Sequence, residues 1–166
     1  AGERKPLAVE AQGEIVVDGV TLYGKADRID RDGEGRLSIV DYKSGGAPSA
    51  KAASDKLDNQ LGLLGLIARE GGMKDIAAAP VDALEYWSLR PDRRAGGAGK
   101  ISNTYGSRSD LKSAEMAIDH AADALSGLAA LYLFGDAPFG PGEGAGYGDY
   151  DQLMRRDEWF GRGEAD

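Results

Sequence analysis

The hydrophobic pattern of this chain changes period near Pro48, and that change dictates much of what it can fold into. Before it, apolar and polar residues alternate between turn signals, as half-buried strands do. Glu14-Ile15-Val16-Val17 is β-rich, Asp18-Gly19 is a hairpin turn, and Val20 to Ile29 reads as the returning strand. Arg31-Asp32-Gly33-Glu34-Gly35 forms the next turn. Leu37 to Lys43 is a third strand, ended by Ser44-Gly45-Gly46. After Pro48 the spacing turns helical. Ser49 is a candidate cap for a helix running to about Glu70, stopped by Gly71-Gly72. Leu57, Leu61, Leu64 and Ala68 form its apolar stripe, widened by Leu63 and Ile67.

Val81 to Leu89 suits a packed strand, through Leu84, Tyr86 and Trp87. Arg90 to Tyr105 reads as a polar loop. Ser109 is placed as the cap of a long helix through Leu133, with Leu111, Ala114, Ile118, Ala121, Leu125 and Leu128 on its buried side. Residues 135–148 are turn-rich, and a short helix is expected over Asp151 to Trp159. The order is three strands, helix, strand, helix. This predicts an α/β domain of α+β character, with a mixed sheet, an antiparallel meander and flanking helices.

At 166 residues the chain is long enough for one core, so a single domain over 1–166 is expected. No apolar run approaches the roughly 20 residues that span a bilayer, and the cytoplasm is the simplest compartment. The absence of cysteine excludes disulfides, thiolate zinc sites and iron–sulfur clusters held by this chain. The net charge of -8 weighs against autonomous tight binding to duplex nucleic acid, but not against a hard-cation site, which clustered carboxylates favour.

The chemistry concentrates in the strands. In Asp41-Tyr42-Lys43 alternation puts Asp41 and Lys43 on one face and Tyr42 on the other. Asp27, on the preceding strand, is placed to join them. Two carboxylates can hold Mg²⁺ or Mn²⁺ with waters and a phosphate completing the shell, and a lysine beside them can steady developing charge. An Asp-x-Lys tripeptide alone is more often a solvated ion pair; Asp27 on the neighbouring strand raises the functional reading above that.

Gly24-Lys25-Ala26-Asp27-Arg28-Ile29-Asp30, then Asp41-Tyr42-Lys43-Ser44-Gly45, then Gln60 on a helix, resembles the RecB-type branch of the PD-(D/E)XK nucleases. Within that branch it is most similar to the C-terminal nuclease domain of AddB-type subunits of AddAB helicase–nucleases, and the tail Tyr150 to Trp159 looks like some AddB endings. The resemblance implies a restriction-endonuclease-like core. It implies Asp27 and Asp41 as metal ligands, Lys43 as catalytic lysine and Gln60 as the first residue of a helical Q-x-x-x-Y motif whose tyrosine is here Leu64. It also implies Mg²⁺ or Mn²⁺, linear DNA ends or single strands as substrate, and an AddA-like helicase–nuclease subunit as partner, with no membrane. The family's further Glu or His ligand on an upstream helix is unassigned: Glu10 and Glu14 are nearest but read as strand residues. The expectation is therefore a domain excised from a larger AddB-like protein and acting as a DNA exonuclease in double-strand-break repair. The competing expectation is a non-catalytic nuclease-fold module that supports a helicase subunit.

Other residues carry weaker expectations. Asp30 and Arg28 read as a flanking ion pair, with Arg28 a secondary phosphate contact. Tyr42 reads as core, His120 as structural or exposed, and Trp87 and Trp159 as packing residues. Lys51 and Lys56, and the loop cations Arg90, Arg93, Arg94 and Lys100, are candidate DNA-backbone contacts.

Overall fold

The computed structural model describes residues 3–44, 59–89, 99–106 and 109–138. Five strands form one sheet in the order β1-β2-β3-β4-β5. β1 (Lys5–Val17), β2 (Val20–Arg31) and β3 (Leu37–Lys43) make the antiparallel meander, joined at Asp18-Gly19 and at residues 32–36. Asp18 and Gly19 both take positive φ, 48° and 79°, the geometry a tight two-residue hairpin requires. In the second turn Asp32 accepts backbone bonds from Glu34 and Arg36, each at 2.9 Å, which closes it.

From β3 the chain crosses through helix α1 (Gln60–Arg69) to β4 (Val81–Ser88), which pairs parallel with β3. A parallel neighbour after a helical crossover makes the sheet mixed and buries β3 between β2 and β4. Accordingly Leu37, Ile39 and Val40 are fully buried. Helix α2 (Ala114–Leu128) packs beside α1, and residues Ala129–Leu133 continue it as one π-helical turn. The core lies between the helices and the sheet, through Ile29, Ile39, Leu61, Ile67, Leu84, Tyr86 and Ile118. Among the described residues no helix is long and apolar enough to cross a membrane.

Glycines set how closely the helix sits on the sheet. A Cβ at Gly24 would lie 2.6 Å from Leu64 Cδ2, and one at its cross-strand partner Gly13 would lie 2.7 Å from Ile67 Cγ2. The glycine that opens the Gly24 to Asp27 segment therefore lets α1 lie against the hairpin.

Several boundaries differ from those the sequence suggests. β1 begins at Lys5, well before Glu14, because its pairing with β2 runs the full hairpin. The described part of α1 begins at Gln60, and its cap residue, Asn59, makes no side-chain capping bond. The proposed cap Ser49, the stripe residue Leu57, Lys51 and Lys56 lie outside the described residues, as do Arg90, Arg93, Arg94, the 139–148 part of the turn-rich stretch, and the segment Asp151 to Trp159. The supposed loop after β4 contains a short fifth strand, β5 (Ile101–Asn103), antiparallel to β4.

The cap of the second helix lies four residues after the expected one. Ser113 accepts from the Met116 amide at 3.2 Å, whereas Ser109 closes a local turn by accepting from Leu111 N–H at 3.1 Å. Leu125 is only half-buried and Leu128 is 54% exposed; the contact face is carried by Ala117, Ile118, Ala121 and Ala124. Small residues are needed here because α1 presents Gly62 and Gly65, and a Cβ on Gly62 would stand 2.6 Å from Ala121 Cβ.

Candidate active site

The site forms where β2 and β3 part. Their ladder runs from Arg31↔Leu37 to Arg28↔Val40 and stops. One step further Asp27 would face Asp41, but a side chain takes over the pairing: Asp27 Oδ2 accepts the Tyr42 amide at 2.8 Å. On β1, Glu10 lies opposite Asp27, between the pairs Val9↔Arg28 and Ala11↔Ala26, and has φ 51°. A left-handed non-glycine residue marks a local distortion of the hairpin at the position of Asp27.

Asp41 points to the α1 side of the sheet and is 6% exposed. Three groups converge there. Gln60 Nε2 donates to Asp41 Oδ1 at 3.0 Å, and Gln60 Oε1 accepts from Lys43 Nζ at 3.2 Å. Lys43 Nζ also stands 2.9 Å from Asp41 Oδ2. That last contact is electrostatic and poorly aligned, because Oδ2 is buried and takes no hydrogen bond among the described residues. The ammonium lies 5.2 Å from the centroid of the buried Tyr86 ring, which forms its floor. Tyr86 reaches this position because it pairs with Asp41 across the parallel β3–β4 ladder.

The four expected residues thus come together: Asp41, Lys43 and Gln60 by direct contact, and Asp27 through the backbone of Tyr42. A buried carboxylate oxygen without a hydrogen-bond donor is costly unless something positive approaches it. Asp27 and Asp41 offer only hard oxygen donors, a set suited to Mg²⁺ or Mn²⁺ and to a shell otherwise completed by water. Among the described residues no three or more carboxylate, imidazole or thiolate side chains are grouped so as to hold a metal ion together. Glu10 is exposed and paired with Lys25 at 3.2 Å, and Glu14 is exposed on β1, so neither joins the site.

The opposite face of the sheet is also polar, which the sequence reading saw only in part. Arg28 does pair with Asp30, bidentately at 2.6 and 3.1 Å. The guanidinium lies over the Trp87 ring, 5.0 Å from its centroid. Trp87 donates its indole N–H to Glu85 at 2.9 Å, and Glu85 is held by Arg4, also at 2.9 Å. Arg28 is held above its ordinary guanidinium value chiefly by its bond to Asp30. Tyr42 does face away from Asp41 but is not core: it is 36% exposed and packs edge-on against Trp87, at 5.9 Å and 79°. Glu85 and Tyr86 come beside these groups only through the β3–β4 register, and Arg4 only by reaching Glu85 across 81 residues. His120 is half-buried on α2, away from the four residues at the β3 end. Lys100 is exposed.

Residues 1–151 match the model of the family described as the PD-(D/E)XK nuclease superfamily. No curated protein matches the chain.

Proposed function

This chain belongs to the PD-(D/E)XK nuclease superfamily, with its restriction-endonuclease-like mixed sheet, and from that premise we propose that it is a metal-dependent deoxyribonuclease. The finer reading is an AddB-like exonuclease domain, working on linear DNA ends or single strands beside an AddA-like helicase–nuclease subunit. The domain 1–166 would be one unit of that larger protein. What supports the finer reading is the Gly24 to Asp30, Asp41 to Gly45 and Gln60 series. The observation that carries the catalytic reading is the buried, donor-free Asp41 Oδ2 held beside Lys43 and braced by Gln60.

Asp27 and Asp41 would hold Mg²⁺ or Mn²⁺, which when bound supplies an acidified water and neutralises phosphate charge. The chain's own groups do the rest. Gln60 has its amide orientation fixed, since its N–H₂ faces a carboxylate and its oxygen an ammonium. It thereby engages Asp41 Oδ1 and leaves Oδ2 to the Lys43 ammonium, 2.9 Å away. The Lys43 ammonium is held in place by Asp41, Gln60 and the Tyr86 face. Its remaining N–H can orient an attacking water or meet negative charge on the phosphoryl oxygens. The acidic chain would take much of its hold on DNA from its partner.

The test is incubation of the purified protein, and of its parent complex, with linear DNA and Mg²⁺. Cleavage that disappears in Asp41→Ala supports the assignment, and undiminished cleavage in that variant refutes it.

A further inference from the structure

The hairpin of β1 and β2 buries different parities of residue at its two ends. Toward the turn, Ala11, Gly13 and Ile15 on β1 face α1 and the core, as do Leu22, Gly24 and Ala26 on β2. Nearer the middle of the sheet the core-facing pair is Ala8 and Ile29. Residues on one face of a regular strand are an even number apart. Ala8 and Ala11 are three apart, and so are Ala26 and Ile29, although the pairing of the two strands keeps its register throughout. Alternation therefore slips by one residue on both strands. Glu10 sits inside that interval, opposite Asp27, with φ 51°, and no other residue of β1 or β2 has a positive φ. We infer that Glu10 is a positioning residue: its left-handed backbone makes the slip that turns the Asp27 carboxylate into the plane of the sheet.

The slip reconciles two burial demands. Ala26 lies in the core beside the Gly24 contact with α1, and Ile29 lies in the core opposite Ile39. Unbroken alternation from Ile29 would turn Ala26 outward, and unbroken alternation from Ala26 would turn Ile29 outward. Asp27 stands between them. In a regular strand side chains stand roughly perpendicular to the sheet. Asp27 instead reaches sideways and accepts the Tyr42 amide at 2.8 Å, where the β2–β3 ladder has just ended at Arg28↔Val40. The Glu10 carboxylate itself does little: it is 75% exposed, and its 3.2 Å ion pair with Lys25 is open to water. Glutamate has no intrinsic preference for the left-handed region, so the surrounding pairing imposes it. Its importance lies in its backbone.

A backbone role and a side-chain role call for different substitutions. Glycine adopts the left-handed region freely, glutamine about as reluctantly as glutamate, and β-branched valine resists it most. The inference rests on the nuclease reading of Asp27 and Asp41, and the experiment separates the two. Mn²⁺ binding to the full chain is titrated directly, without DNA, for wild type, Asp41→Ala, Glu10→Gly, Glu10→Gln and Glu10→Val. Cleavage of linear DNA is then measured as kcat and KM. Hydrogen exchange of the Tyr42 amide, followed by NMR, reports whether Asp27 still accepts it. Thermal unfolding establishes that each variant is folded at the assay temperature, and Glu10→Thr, also β-branched, serves should Glu10→Val unfold.

The expected result is Mn²⁺ affinity and kcat lowered about tenfold in Glu10→Val, with KM unchanged. Its Tyr42 amide should exchange about tenfold faster while the amides of β4 stay protected. Glu10→Gly and Glu10→Gln should match wild type in all three readouts. Lost affinity in Glu10→Gln would make the carboxylate a ligand in its own right, and lost affinity in Glu10→Gly would detach the site from the backbone conformation; either overturns the inference. Wild-type affinity and Tyr42 exchange in folded Glu10→Val, with binding lost in Asp41→Ala, would overturn the positioning role alone. Binding retained in Asp41→Ala would overturn the nuclease reading on which it rests.

Discussion

The two faces of the sheet around β3 carry similar residues to different ends. Behind the sheet, Arg28, Asp30, Glu85, Arg4 and Trp87 form a network in which each charged group has a hydrogen-bonded partner. On the α1 side, Asp41, Lys43 and Gln60 are as closely packed, yet one buried carboxylate oxygen is left without a donor. A satisfied network stabilises and holds geometry. An unsatisfied one spends stability on readiness to bind something positive. The contrast teaches that polarity in a sheet interior does not by itself mark a site.

The largest effect that could break this contrast is expected from Asp41→Asn. It should lower kcat at least about a hundredfold, as for loss of a preorganised electrostatic group. The melting temperature should change little, since the isosteric amide keeps an oxygen for Gln60 and Lys43 is partly exposed to water. A variant that loses activity by unfolding would place Asp41 with the structural network instead. Gln60→Ala should cost about tenfold in kcat, about one net hydrogen bond to a charged group, with little change in stability because Gln60 is exposed. Single-turnover rates check this.

On the opposite face the signs reverse. Arg4→Met should destabilise by about 1–2 kcal/mol in urea unfolding, because Glu85 is left buried with only Trp87 as donor. Mn²⁺ affinity should not change. The smallest effect concerns Tyr105, which bonds the Asp82 carbonyl at 3.1 Å near the same face. Burial, with Asp82 and Glu85 nearby, raises its phenol above the usual value of about 10. The folded state therefore keeps the proton longer than the unfolded chain. Its contribution is complete below the unfolded value and is lost as pH rises through the folded one. Tyr105→Phe should flatten the alkaline limb of the stability profile and leave it unchanged near neutrality.

The active side was largely legible in the sequence, for a local reason. Strand alternation joins Asp41 to Lys43, the meander brings Asp27 alongside, and Gln60 follows Lys43 by 17 residues, so every step is close in the chain. The back face was not. Glu85 and Trp87 meet Arg28 and Tyr42 only through the parallel β3–β4 register, and Arg4 reaches Glu85 across 81 residues. No periodicity encodes such pairings. β5 was hidden for another reason: three residues, Ile101–Asn103, make too short a run to show alternation. The misplaced cap of α2 reflects two serines competing for the same role, decided by which one the turn after residue 106 consumes.

The account's central claim is that Asp27, Asp41 and Lys43 act as one unit, and double mutation tests it most directly. Single-turnover cleavage of linear DNA with Mg²⁺ should fall as far in Asp27→Ala as in Asp41→Ala, and the double variant should be no slower than either. Losses that multiply, or an Asp27→Ala variant that cuts at the wild-type rate, would contradict it.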